Sequence, residues 1–449
     1  MDTTNNENFW TNNKLTIKGL IVGCLILIMM IPTISISNLV SERAQRQGEV
    51  ATEVSSKWAK EQTVTGPVLV IPYQETVKDN DGKLSVVKEY AYFLPEHLKI
   101  NGKLLPEIRH RSIFAIAVYR ADIKLEGDFA PLQPERLNIA QEKMLLNEAY
   151  ISFGLNDFRG IEDQLSIQWN ANSYVFNAGL PDYSIIPNGL NAPVVLTPEN
   201  IAATNSFSMQ LRLKGSERLA FVPIGKTTEA HFSSTWTNPS FDGNFLPVAP
   251  PVITDDGFNA DWKVQHLNRN YPQSWKNEKQ DLIPSAFGIT LLQPVDSYSK
   301  TMRSVKYAIL FIALTFGLYF FIEILQKKTV HPVQYVLVGI ALSIFYTLLL
   351  SISEYISFNS SYLIASTATI LLITLYTKSL FGTWKIASLF GALLLMLYSF
   401  IFILIQLQDG ALLFGSIGLF ILLAIVMYYS RRIDWYPKSV KTIKAEIAV

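Results

Sequence analysis

Two hydrophobic patterns alternate along the chain. Six stretches, 17–39, 305–325, 333–352, 358–376, 386–407 and 411–429, are almost continuously apolar, and each has about the 20 residues that a helix needs to cross a hydrocarbon layer ~30 Å thick. Between the first and second lies the segment 40–304, which reads mostly as β structure, with apolar and polar positions alternating over 229–237 as in a strand with one buried face. Val68-Leu69-Val70-Ile71 is apolar at four successive positions and predicts a central strand covered on both faces. The polar turn Asp79-Asn80-Asp81-Gly82 and the runs 83–87 and 90–93 make it the first arm of a hairpin. Pro67 cannot donate to a β ladder, so Gly66-Pro67 is expected to begin that strand rather than sit within it. Further strands are expected at 113–118 and 150–155, a turn at Asp242-Gly243, a polar helix continuing from the first apolar run over 40–60, a second helix over 134–147, and a long loop or subdomain seam over 180–200. The predicted fold class is a membrane protein, a six-helix transmembrane bundle (one helix plus five) with a large extracytoplasmic, mainly β domain of β-rich α+β type. Its segments are a cytoplasmic tail 1–16, an anchor helix 17–39, the β-rich domain 40–304, the five-helix bundle 305–429 and a basic cytoplasmic tail 430–449.

Composition agrees with this division. Hydrophobic residues make up 49% of the 449 and charged ones only 17%, against about 25% charged in a soluble domain. The net charge of +1 hides an asymmetry, because residues 41–304 hold 26 Lys/Arg and 30 Asp/Glu. Cations flank the apolar runs on one side: Lys14 and Lys18 before the first, Lys327 and Lys328 after the second, Lys378 and Lys385 between the fourth and fifth, and Arg431, Arg432, Lys438, Lys441 and Lys444 after the sixth. The loops 353–357 and 408–410 carry Glu354 and Asp409 but no Lys or Arg. Positively charged flanks stay cytoplasmic, so both termini are expected inside and the β-rich domain outside. The first run reads as an uncleaved anchor, its apolar core being longer than that of a signal peptide; a cleaved leader is the alternative. The single cysteine, Cys24, permits no internal disulfide.

Catalytic signatures are sparse. Gly225-Lys226-Thr227 ends like a phosphate-binding loop, but Ala220 stands where the required first glycine would be, and the residues after it alternate like a strand: Ala230, Phe232, Ser234 and Trp236 on one face, Glu229, His231, Ser233, Thr235 and Thr237 on the other. Two strands joined by a turn around Ile224-Gly225-Lys226 are expected instead. His97, His110, His231, His266 and His331 show no zinc-binding spacing, and Gly415-Ser416-Ile417-Gly418 is one residue short of a nucleophile elbow and lies in an apolar run. Asp255-Asp256-Gly257 reads as a turn rather than a calcium loop. No metal or other cofactor and no nucleic acid is expected. Ionisable groups at bilayer depth are more informative, because each costs several kcal/mol unless paired or hydrated. Glu323 lies near the end of the second run with Lys327 four residues on, a helical pairing distance, and Glu354 sits at the end of the third. No Asp, Glu, Lys or Arg occupies the middle of a run, which weighs against proton-coupled transport.

Several longer stretches carry a family resemblance. They are Glu61-Gln62-Thr63-Val64-Thr65-Gly66-Pro67-Val68-Leu69-Val70-Ile71-Pro72-Tyr73, Asp157-Phe158-Arg159-Gly160-Ile161, the SERLAFVPIGK and NPSFDGNFLP segments, Leu292-Gln293-Pro294-Val295-Asp296 with Val305-Lys306-Tyr307-Ala308-Ile309-Leu310-Phe311, His331-Pro332-Val333-Gln334-Tyr335 and Ser353-Glu354-Tyr355-Ile356-Ser357-Phe358. In this order, through nearly the whole chain, they resemble the CreD family; Phe158 departs from it, where a proline-like residue is expected. The resemblance implies a multipass inner-membrane protein with a periplasmic domain, tied to cell envelope integrity and the β-lactam and envelope-stress response under a two-component system. It supplies no catalytic residue. The expected function is non-enzymatic envelope maintenance, with membrane lipids and an envelope protein or a cell-wall or lipid component as partners. The alternatives are a transporter or lipid-handling protein using the helix bundle, and a cell-wall hydrolase. Glu323, His331 and Glu354 are the functional candidates.

Overall fold

The structure, a computed structural model, describes residues 14–78, 84–291, 297–326, 329–407 and 410–431. It divides into two compact units, Met1–Arg46 with Val295–Val449, and Gln47–Pro294.

The second unit is β-rich. Its nine-stranded sheet runs, in spatial order, Pro239–Gly243, Phe287–Leu291, Arg218–Phe221, Gln62–Lys78, Tyr150–Gly154, Gly189–Pro193 and Asn177–Ala178, with Leu84–Phe93 also paired to Gln62–Lys78 and Ser274–Lys276 paired in turn to Leu84–Phe93. The eight-stranded sheet runs Val252–Thr254, Gly257–Gln265, Thr227–Ser234, His97–Arg111, Phe114–Phe129, Asn205–Ser216, Ser166–Trp169 and Asn172–Val175. Period-two patterning turns one face of each strand inward. Leu98, Ile100 and Leu104 are buried while His97, Lys99, Asn101 and Lys103 point to water. The inner faces of both sheets build one apolar core, in which the Phe221 and Phe232 rings meet at 4.8 Å and Trp262 and Phe287 at 5.5 Å. Gly102 is where Phe232 enters: a Cβ there would lie 2.0 Å from the ring.

Val68, Leu69, Val70 and Ile71 are fully buried, and Leu69 has Ile151 on one side and Phe93 on the other, as expected of a central strand. The hairpin also forms, from Leu69 opposite Phe93 to Lys78 opposite Leu84; its expected turn lies outside the described residues. Gly66-Pro67, however, lies inside the strand. Gln62–Val64 pair in parallel with Leu219–Phe221, and the register then shifts between Thr65 and Val68. A bulge leaves one residue without a ladder partner, so a proline that cannot donate is accommodated mid-strand. Gly66 supplies the φ of +135° the bulge requires.

Three other expectations change. The stretch 134–147 is not a helix but three 3₁₀ turns, Pro134–Leu137, Gln141–Lys143 and Leu146–Glu148. Asn138 takes a left-handed conformation that ends the first, and the Leu145 N–H is drawn away to the Pro72 carbonyl at 2.8 Å. The presumed loop 180–200 contains the strand Gly189–Pro193, which adds to Tyr150–Gly154 because Leu190 and Ala192 can enter the core. Asp242 belongs to the strand Pro239–Gly243, and only Gly243, at φ +97°, turns the chain. Around Gly225, the flanking segments Arg218–Phe221 and Thr227–Ser234 are strands as expected, but they belong to different sheets. Lys226 is followed by a strand, and its ammonium bonds to Glu96 at 2.6 Å. Asp255 and Asp256 form the tight turn expected of them.

The first unit is helical. Helix α1 (Lys14–Ile28) and helix α2 (Met30–Trp58), interrupted at Met29, are followed by α3 (Ser297–Lys306), α4 (Ala308–Gln326), α5 (Pro332–Ser353), α6 (Phe358–Phe381), α7 (Trp384–Gln406) and α8 (Ala411–Ser430). Helix α2 continues past Arg46 into the β unit. Among the described residues, five helical stretches are long and apolar enough to span a membrane, and α8 contributes the apolar segment Leu412–Ile425. Capping sets several boundaries. Pro332 starts α5 with His331 and Gln334 forming a capping box, Ser357 accepts from the Ser360 N–H at the start of α6, and Gly382 ends α6 at φ +75°.

Candidate functional site

Glu323 is buried, 7% of its side chain being exposed, where α1, α4 and α5 meet. Three donors hold it. The Lys18 ammonium and the Val330 N–H, at 2.9 Å, both reach Oε1, and the Tyr335 hydroxyl reaches Oε2 at 3.0 Å. Sequence alone paired Glu323 with Lys327, which lies outside the described residues; the described partner is Lys18, 305 positions away. Close packing reinforces this seat. A Cβ on Gly339 of α5 would lie 2.6 Å from the Met29 sulfur and 3.0 Å from the Phe316 ring, so glycine is what lets these side chains seat against α5. A carboxylate in such a position is stable only with its donors in place, so the cluster fastens α1 to the bundle.

His331 neighbours this cluster through Val330 but serves as the cap of α5: its Nδ1 accepts from the Val333 N–H at 3.3 Å. Glu354 ends the same helix, roughly 35 Å from His331 at 1.5 Å per residue. It accepts from the Tyr298 hydroxyl at 3.2 Å and faces Arg43 Nε at 3.9 Å. The three candidates therefore do not converge. Glu323 and His331 mark one end of the bundle and Glu354 the other. Between them lies an aromatic core in which Phe311 packs at a tilt against Tyr398 at 4.4 Å and Phe345 meets Tyr346 at 4.9 Å. The Tyr319 and Thr377 hydroxyls bond at 2.5 Å, and Tyr362 donates to the Tyr398 carbonyl at 2.9 Å.

The β unit contains a second polar assembly, whose role sequence reasoning missed. Arg159 grips both carboxylate oxygens of Asp157, at 2.9 and 2.7 Å, while the Lys60 N–H donates to Oδ2 at 3.1 Å. The amide of Gln62 bonds to the Asp157 backbone in both directions, at 2.8 and 3.2 Å. Arg159 also donates to the Ser56 carbonyl in the last turn of α2, placing a cation at the helix's negative end, and Ser216 donates to the carbonyl of Ala59 just beyond it. Arg109 lies 3.9 Å over the Trp58 ring. The hydrogen bonds from Arg159 and the backbone hold the Asp157 carboxyl down at about 2. Residues about 100 positions apart in sequence thus clamp one helix end, and their only sequence signal was their place in the family stretches.

The outer face of the eight-stranded sheet carries rows of polar side chains. One row across it reads Lys263, Glu229, Lys99, Glu126, Ser208, and the next reads Asp261, His231, Asn101, Lys124, Gln210. Asp122, Lys124, Gln210 and Arg212 line a shallow depression there. Among the described residues, no group of three or more His, Cys, Asp or Glu side chains is placed to hold a metal.

The comparisons with known proteins match this architecture. The sequence model of the family described as Inner membrane protein CreD matches residues 14–436. The chain belongs to the CreD family. It is 31% identical over 432 residues to the inner membrane protein CreD of Escherichia coli strain K12, covering 94% of this chain and 93% of that one. The family match over 14–436 includes the Glu323 seat and the Asp157–Arg159 clamp. A solved structure described as a candidate protease from Parabacteroides distasonis aligns over 56% of this chain and 50% of its own at 13% identity, with a TM-score of 0.23. A likeness at that level carries no argument about this chain. The family thus establishes an inner-membrane protein whose helices cross the bilayer and which carries a large β-rich unit.

Proposed function

We propose that this inner-membrane protein maintains cell envelope integrity without catalysing a reaction, its β-rich unit lying in the periplasm and binding an envelope component or partner protein. The observation that carries this reading is the outer face of the eight-stranded sheet. Its side chains form rows of alternating charge, as in Lys263, Glu229, Lys99 and Glu126. Such a surface suits recognition of an extended polar partner, since interspersed charges set register and specificity more than affinity. Membership of the CreD family supports the envelope role, and the clustering of Lys and Arg beside one set of helix ends supports cytoplasmic termini.

The test is a deletion strain challenged with β-lactam and detergent and complemented with the full chain or with a variant carrying Lys99→Glu and Lys103→Glu. The unaltered chain is expected to restore resistance and the variant to accumulate in the membrane without restoring it. Full rescue by the variant would remove the sheet face from the function. Orientation is tested separately: alkaline phosphatase fused near Gly243 is expected to be active, and fused after Lys328 inactive.

A further inference from the structure

Helix α3 is short and two-faced. Tyr298, Thr301, Ser304 and Val305 are buried, while Lys300, Arg303 and Lys306 recur every third residue along another stripe. The helix directly precedes the membrane-spanning α4 and packs against α5 and α7. Its end of the bundle also holds the α5–α6 and α7–α8 connections.

Lys300 is built into this rim. Its ammonium donates to Gln406 Oε1 at 2.9 Å at the end of α7 and lies 5.5 Å from the Phe358 ring at the start of α6. Gln406 is itself oriented by a 2.5 Å bond from its amide nitrogen to Asn359 Oδ1. A lysine ammonium has three N–H donors, and here the partners are a neutral amide and a ring. Among the described residues no carboxylate lies within ion-pair distance of Lys300 or Arg303. Glu354, on the same rim, is engaged by Tyr298 and Arg43. Burial and the neighbouring Arg303 push the Lys300 ammonium down from its usual range, so the site bears two cations that disfavour each other. An anion would relieve both.

We propose that Lys300 and Arg303, with Gln406 and Asn359 fixing the lysine, form a site for the phosphate of an anionic phospholipid headgroup at this end of the bundle. The source is a lipid because an amphipathic helix leading straight into an apolar span places its cations at the headgroup level, where acyl chains lie alongside the bundle. Lys306 extends the stripe and adds attraction without a fixed geometry.

The full chain, purified in neutral detergent, would be titrated with phosphatidylglycerol, phosphatidylcholine or inorganic phosphate and the bound species counted by native mass spectrometry. Phosphatidylglycerol is expected to bind best, and Lys300→Gln or Arg303→Gln to weaken it about five- to tenfold each. Lys300→Arg, which keeps the charge, is expected to weaken binding less than Lys300→Gln, and Lys279→Gln, at an exposed position on the β unit, to leave it as in the unaltered chain. Thermal melting of each variant separates lost binding from lost folding. Equal binding of phosphatidylcholine, undiminished binding by both glutamine variants, or inorganic phosphate binding as tightly as the lipid would each overturn the proposal.

Discussion

In the β unit Lys263 meets Glu229 at 2.8 Å with 52% and 42% of their side chains in water, whereas in the membrane unit Lys18 meets Glu323 with 27% and 7% exposed. The chemistry is the same and the consequence is not. An exposed pair is screened and contributes about 0–1 kcal/mol. Removing one partner of a buried pair strands a charge and costs about 3–5 kcal/mol. The β unit therefore gets its stability from an apolar core and displays its charges outward, while the bundle, whose outer surface is as apolar as its lipid surroundings, depends on a few internal polar contacts to fix which helices pack together. The clamp at Asp157 and Arg159 is intermediate: Asp157 is 9% exposed and Arg159 53%, and together they seat the end of α2.

Forcing a charge into the β core tests the contrast most severely. Leu69→Asp would bury a carboxylate without a partner at a cost of several kcal/mol, a large fraction of a stability of about 5–15 kcal/mol. The variant is expected to be lost from the membrane fraction on immunoblotting; normal accumulation with loss of function alone would mean that Leu69 lies on a working surface. The clamp has a smaller, pH-dependent effect. The Asp157 carboxyl is held at about 2 when folded, below an unfolded value of about 3.9. Its contribution is thus fully present above about pH 4 and is lost as pH falls toward 2, amounting to about 2 kcal/mol. Melting curves of Asp157→Asn and the unaltered chain are expected to differ at pH 7 and converge near pH 2; a constant gap would exclude the Asp157 charge as the cause. The smallest effect belongs to the surface. Lys226→Ala removes a half-buried contact with Glu96 and is expected to change stability by about 1 kcal/mol or less, with no nucleotide binding before or after. ATP binding that disappears in the variant would reinstate Gly225-Lys226-Thr227 as a phosphate site.

The sequence made legible whatever depends on local pattern. The membrane spans follow from the length of apolar runs, and the buried strand Val68–Ile71 and its hairpin follow from burial on both faces and turn chemistry. Gly66-Pro67 was misread because the rule that keeps proline out of a strand interior depends on the neighbouring strands, and here the register shift between Thr65 and Val68 suspends it. The stretch 134–147 has helix-forming residues, yet the Pro72 carbonyl competes for one of its N–H groups. Of the candidate residues, Glu323 could be singled out as a charge near a span end, but its partner could not. Lys18 reads locally as a flanking cation of the first run, and only packing of α1 against α4 and α5 brings it to Glu323.

Whether α1 is a working member of the bundle is the claim on which the contrast rests, and exchanging the two charges tests it directly. Lys18→Glu and Glu323→Lys, made singly, place like charges together in a buried site and are expected to reduce the full-length protein in the membrane fraction severely. The double exchange is expected to restore most of it. Single variants that accumulate normally, or a double variant no better than either single one, would contradict a bundle in which α1 is held by the Lys18–Glu323 pair.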